Sequence, residues 1–166
     1  MRLKARAERQ GSGRLQLQFR LEGDLDRLRI PPPTEPARAD GLWRATCFEA
    51  FLAPVGGEGY VELNLAPDGR WAAYRFDGYR AGMRNAERIA PPTISVGHGA
   101  DLFTLAATVD LGEEGDLAGA PWRVALTAVI EDVAGALSYW ALAHPHGQPD
   151  FHHPAGFVLE LPPPAA

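Results

Sequence analysis

Two glutamates, an asparagine and an arginine stand at strand-like spacing in the middle of this chain of 166 residues. In Tyr60-Val61-Glu62-Leu63-Asn64-Leu65 a period of two puts Tyr60, Glu62 and Asn64 on one face and the aliphatic residues on the other. In the run before it, Cys47, Glu49 and Phe51 share a face, so pairing of the two runs brings Glu49 near Glu62 and Asn64. Arg75, in the run that follows, is placed to neutralise the cluster. Carboxylates and amides read hydroxyl groups while aromatic rings cover apolar C–H faces, so this combination suits a carbohydrate or a similar small molecule. Trp43, which follows a loop, and Trp140, which alternates against Tyr139, are the candidate stacking rings; Trp122 opens an apolar face and reads as core. The competing reading is that these polar groups coat the outer face of a sheet. Two carboxylates on neighbouring strands also match the residue types of a glycosidase pair, although glutamate is common on exposed sheet faces and hydrolysis is the weaker reading.

A second concentration of chemistry lies at 139–153, which holds His144, His146, His152 and His153, four of the five histidines, with Asp150 among them. Imidazole and carboxylate are transition-metal ligands, and the spacing of His144 and His146 puts both on one side of an extended segment. Pro145, Pro149 and Pro154 make the same segment a loop in which histidines cap turns or line a pocket. Without strict ligand spacing, hydrogen bonding is the preferred role; no metal site is assigned, and His144 joins the ligand-binding candidates. Cys47 is the single cysteine and sits within an apolar run, where a lone thiol packs as a small hydrophobe. No nucleophile elbow and no glycine-rich phosphate loop occur. The expectation is therefore a binding domain without a catalytic residue or cofactor, and not an enzyme.

The elements that must position these residues are short and punctuated. With 18 Gly and 15 Pro and no low-complexity run, the chain reads as many strands separated by turns. At 14–21 Leu15, Leu17, Phe19 and Leu21 alternate with Arg14, Gln16, Gln18 and Arg20. Pro31 to Pro33 and Pro36 make the next segment an irregular connection. Strands at 46–53, 60–65 and 71–76 form a meander, the first two joined through Gly56-Gly57 and the last two through Ala66-Pro67-Asp68-Gly69, a turn signal. Further strands are expected at 93–96, 102–111, 122–131, 137–142 and 157–161, with a turn or two of helix within 79–89. About nine or more strands imply an all-β antiparallel sandwich or jelly roll forming one domain over 1–166, with its core at about 13–161.

Composition closes off other classes. A net charge of −5 with scattered arginines gives no basic face for nucleic acid. One cysteine excludes an internal disulfide, and no apolar run reaches the length that spans a bilayer. The first residues lack an apolar export segment, so a cytoplasmic protein with no membrane partner is expected.

At its central and closing segments the chain resembles the DOMON-like superfamily, close to the type-nine carbohydrate-binding modules. The resemblance rests on Leu42-Trp43, the run Thr46 through Phe51, Tyr60-Val61-Glu62-Leu63-Asn64, Pro67-Asp68-Gly69-Arg70-Trp71 and Tyr74-Arg75-Phe76. The closing Tyr139-Trp140 through His144-Pro145 and Pro149 through Pro154 look like the signature of a small stand-alone bacterial branch, and the match runs from about 15 to 161. It implies a β-sandwich that binds sugar in some branches, with rings sandwiching a terminal sugar, roles open here to Trp43, Trp140, Glu49, Glu62 and Asn64. Other branches hold haem through Met and His, which would fall to Met83 with His144 or His152. Haem is usually held by secreted relatives and no export signal is visible here, so carbohydrate is the expected partner and a haem or metal protein the alternative.

Overall fold

A computed structural model of the chain describes residues 1–11, 13–111, 117 and 119–163. Its strands are β1 (Arg2–Gln10), β2 (Arg14–Glu22), β3 (Cys47–Pro54), β4 (Tyr60–Leu65), β5 (Trp71–Phe76), β6 (Arg84–Asn85), β7 (Thr93–His98), β8 (Leu102–Asp110), β9 (Trp122–Glu131), β10 (Leu137–Ala141) and β11 (Leu159–Leu161). They form two antiparallel sheets. One has the order β1-β2-β8-β7; the other runs β10-β9-β3-β4-β5-β6, with β11 also on β9. This is the expected β-sandwich.

The alternation read in the sequence is what builds the core. Leu15, Leu17, Phe19 and Leu21 of β2 turn inward with Phe103, Leu105 and Val109 of β8, and they meet Phe48, Ala50, Leu52, Val61, Leu63, Val124 and Leu126 of the larger sheet in one apolar cluster. Phe48 sits between Phe19 and Phe103, 5.1 and 5.7 Å away between ring centroids. Burial of this face supplies most of the drive to fold. The meander turn forms as expected: Gly69 takes a φ of 93°, open to glycine at little cost, while Asp68 Oδ1 accepts from the Arg70 N–H at 3.0 Å.

Two elements depart from expectation. β1 pairs with β2 along its whole length, from Arg2 opposite Glu22 to Gln10 opposite Arg14, so the sheet begins well before residue 13. Two of its four inward positions are alanine, and at a third Arg9 lays its guanidinium 3.8 Å from the Trp122 ring centre, which gave the sequence little apolar signal. The helical turn expected within 79–89 is absent: Gly78 and Ala81 close a tight turn, and Arg84–Asn85 then pairs with β5.

The larger sheet is covered on both faces. Every residue of β3 and β4 is buried, which a sheet with a wet outer face would not allow. A 3-10 turn at Leu42–Arg44 and the segment after β10 lie over the second face, where Leu42, Phe51, Tyr60, Tyr74, Phe76 and Phe157 make a smaller apolar cluster.

Candidate functional site

The second face of the large sheet carries the polar residues picked out by alternation. The register sets Glu49 opposite Asn64 on one side and Thr127 on the other, and Phe51 opposite Glu62. Glu49, Glu62, Asn64 and Thr127 are only 2, 5, 0 and 2 % exposed. They therefore do not coat an outer face. Buried polar groups must be paired inside the protein or by a ligand.

Much of that pairing is internal. The Cys47 thiol donates to Asn64 Oδ1 at 3.7 Å, and Asn64 Nδ2 donates to Glu62 Oε1 at 2.7 Å. Thr127 Oγ1 donates to Glu49 Oε2 at 3.3 Å. Glu49 Oε1, also buried, has no hydrogen-bond partner among the described residues. Burial lifts the Glu49 carboxyl well above the usual range, the neighbouring Glu62 adds to the rise, and the Thr127 hydroxyl offsets part of it. Glu62 is raised as well, again by burial first, with Asn64 and the Arg80 charge pulling the other way. Two carboxyls on adjoining strands with raised affinity for protons form a pair that both accepts and donates hydrogen bonds.

Above the pair opens a cavity of about 350 Å³, within the range of small-molecule sites. The sheet supplies Glu49, Glu62, Phe76 and Val129; the covering segments and β10 supply Trp43, Arg80, Met83, Tyr139, Pro149, Phe151 and His152. Trp43 is held edge-on against Tyr74 at 6.0 Å, and the Tyr74 hydroxyl donates to Asp40 Oδ1 at 2.6 Å. Tyr139, 47 % exposed, leans on Phe151 at 6.0 Å.

A hydrogen-bond relay joins the covering segment to the floor. The Arg80 N–H donates to the Tyr60 hydroxyl at 3.3 Å, and the same hydroxyl shares a hydrogen bond with His152 Nδ1, 2.7 Å away. The other ring nitrogen, Nε2, lies 3.8 Å from Glu62 Oε2. Burial, reinforced by the Arg80 charge, lowers the His152 pKa to about 4, so near pH 7 the contact with Glu62 is not an ion pair. Phe51 and Phe76 hold the ring edge-on, at 5.2 and 5.1 Å.

Asp150 clasps the two covering loops together. It accepts from the Tyr79 hydroxyl, from Arg80 Nη2 at 2.8 Å and from the His152 N–H at 3.1 Å. Burial acts to raise the Asp150 pKa, but the donors Tyr79 and Arg80 outweigh it and hold the carboxyl below its ordinary range. Arg80 adopts a φ of 53°, a left-handed conformation that costs a non-glycine residue roughly 1 kcal/mol. That strain sits where the backbone N–H meets Tyr60 and the side chain meets Asp150.

Of the seven residues expected at a ligand, Trp43, Glu49 and Glu62 line the cavity. Asn64 lies fully buried beneath it and orients Glu62. The other three are elsewhere. Arg75 shares its strand face with Trp71 and Ala73, which point into the main core, so it turns away from the carboxyls; Arg80 is the cation whose charge Glu62 feels. Trp140 pairs with Ala128 and packs beside Leu3, Ala5, Phe19 and Leu126 at the edge of the main core. Its neighbour Tyr139, opposite Val129, faces the cavity instead. His144 is exposed, with its ring 6.2 Å from Phe151 and outside the cavity lining; His152 takes the place assigned to it. His153 caps the last 3-10 turn through Nδ1, the structural role expected of these histidines. Among the described residues no three His, Cys, Asp or Glu side chains converge as a metal site would need.

No protein-family model matches the chain, and no curated protein matches it. Among solved structures it is similar to a protein of Bacteroides uniformis named for a proposed role in carbohydrate binding. The TM-score is 0.63 at 15 % identity, over 96 % of this chain and 77 % of that one. The two share a fold.

Proposed function

We propose that this protein binds a small hydroxyl-bearing ligand, a carbohydrate in the first instance, without transforming it. The observation that carries the reading is the buried pair Glu49 and Glu62 at the foot of a cavity walled by Trp43, Tyr139 and Phe151, with one Glu49 oxygen lacking a hydrogen-bond partner among the described residues. Hydroxyl groups supply both the donors and the acceptors such a pair lacks, and rings beside it cover C–H faces. The shared fold supports the reading, and placement near the type-nine carbohydrate-binding modules of the DOMON-like superfamily belongs to the same proposal. So does a cytoplasmic setting. Among the described residues no helix is long and apolar enough to cross a membrane.

Two alternatives fit the geometry less well. A glycosidase keeps one carboxyl ionised as nucleophile or base, whereas burial raises both Glu49 and Glu62. Haem ligation by His152 and Met83, which both line the cavity, would need a free imidazole lone pair. Nδ1 of His152 is engaged with the Tyr60 hydroxyl at 2.7 Å and Nε2 faces Glu62 Oε2 at 3.8 Å, so both ring nitrogens are turned to protein polar groups and the residues present do not fit the group.

The test is calorimetric titration with a panel of neutral and amino monosaccharides, repeated on Trp43→Ala and Trp140→Ala. Saturable binding that is lost in the first variant and kept in the second is expected. Failure of every sugar to bind, or loss only with Trp140→Ala, overturns the proposal.

A further inference from the structure

Resting on that reading, we infer that the bound sugar carries a protonated amine, and that the ammonium group sits between Glu49, Glu62 and the aromatic wall of the cavity.

Charge selects the ligand class. Both carboxyls are nine-tenths buried or more, and they lie on adjoining strands within reach of each other's field. Arg80 is the one Lys or Arg among the described lining residues, and its guanidinium is committed to Asp150 at 2.8 Å. His152 is neutral near pH 7 and offers no charge. The cavity thus holds two acids facing no uncommitted cation, so burial favours their protonated forms until something positive enters. Hydroxyl groups of a neutral sugar would meet the hydrogen-bond need of the protonated pair and gain nothing from its acidity. An ammonium draws the pair into its ionised form and pairs with it, with three donors for oxygens such as Glu49 Oε1 and Glu62 Oε2. Trp43, Phe76, Tyr139 and Phe151 line the same space, and aromatic faces attract a cation directly. Among the described residues no three His, Cys, Asp or Glu side chains converge, as a bare metal ion would need.

Entry of an ammonium favours the ionised carboxyls, so a proton held by the pair passes to solvent as the ligand binds.

Matched pairs test this: glucose with glucosamine, galactose with galactosamine, and mannose with mannosamine, together with choline, each titrated calorimetrically at pH 7 in two buffers of different ionisation enthalpy. At least one amino sugar is expected to bind tenfold or more tightly than its neutral partner. Its apparent enthalpy should differ between buffers by the amount that proton release requires, a readout that needs no variant. In Glu62→Gln the preference should shrink toward unity. Equal binding of an amino sugar and its neutral partner overturns the inference and leaves sugar binding standing. Binding of choline with no sugar bound supports the cation and overturns the sugar. No binding by any of the seven overturns both.

Discussion

Acid should loosen this protein through one side chain, His152. In the folded chain its pKa falls from the ordinary 6.5 to about 4, because burial and the Arg80 charge disfavour the imidazolium. The unfolded chain therefore binds more protons between those values. The contribution of His152 is fully present above pH 6.5 and is lost as pH falls toward 4. A displacement of about 2.5 units at 1.36 kcal/mol each is worth about 3.4 kcal/mol in total, of which about 2.5 is already lost at pH 4.5. The side chain is 16 % exposed, so solvent screening reduces this little. Glu49 and Glu62 act in the opposite sense, since their raised values favour the folded state in acid. Comparison with a His152→Gln variant cancels them. Gln keeps an acceptor for the Tyr60 hydroxyl and cannot titrate. Urea unfolding of both proteins at pH 7.0 and 4.5 should show the wild type losing about 2.5 kcal/mol more than the variant, equivalent to roughly 5–10 °C in Tm. Equal losses, or an imidazole titration by NMR near 6.5, would refute the placement of His152 as a buried neutral imidazole.

Other consequences are as direct. Glu49→Gln removes a buried, poorly paired acid and should stabilise the protein by roughly 1–2 kcal/mol at pH 8, measured by urea unfolding, with the gain vanishing near pH 4 where both states hold the proton. Tyr60→Phe strands the Arg80 N–H and His152 Nδ1 and should cost about 1–3 kcal/mol in the same assay at pH 7, while raising the imidazole pKa little. Trp140→Ala should lower stability by about 2 kcal/mol through lost packing beside Phe19 and leave ligand affinity within twofold; Trp43→Ala should cost less stability and abolish binding in calorimetry.

The sequence carried the sandwich well because alternation and turn chemistry agree in the central meander, and it put Glu49, Glu62 and Asn64 on one face as the register confirms. Alternation says which residues share a face, not which sheet face meets the core. Within single runs it therefore leaves Trp140 as eligible as Tyr139 and puts Arg75 beside acids it turns away from. Parity counted across all the paired strands from Glu49 would have selected Tyr139 and excluded Arg75. β1 was hidden because Ala5 and Ala7 give a weak apolar rhythm. Arg80, Phe151 and His152 reach the cavity through loops, and no local pattern reveals a contact such as that of Asp150 with Tyr79 and Arg80, seventy residues apart.

The central claim is that the face carrying Glu49 and Glu62 is where a ligand sits. Side-chain NMR during titration with the monosaccharide panel tests it most directly. Shifts of the Trp43 indole and of the Tyr139 and Phe151 rings, with the Trp140 indole unmoved, are predicted. No shift with any sugar, or shifts confined to the groove over Gln16, Gln18 and Thr108 on the smaller sheet, would contradict it.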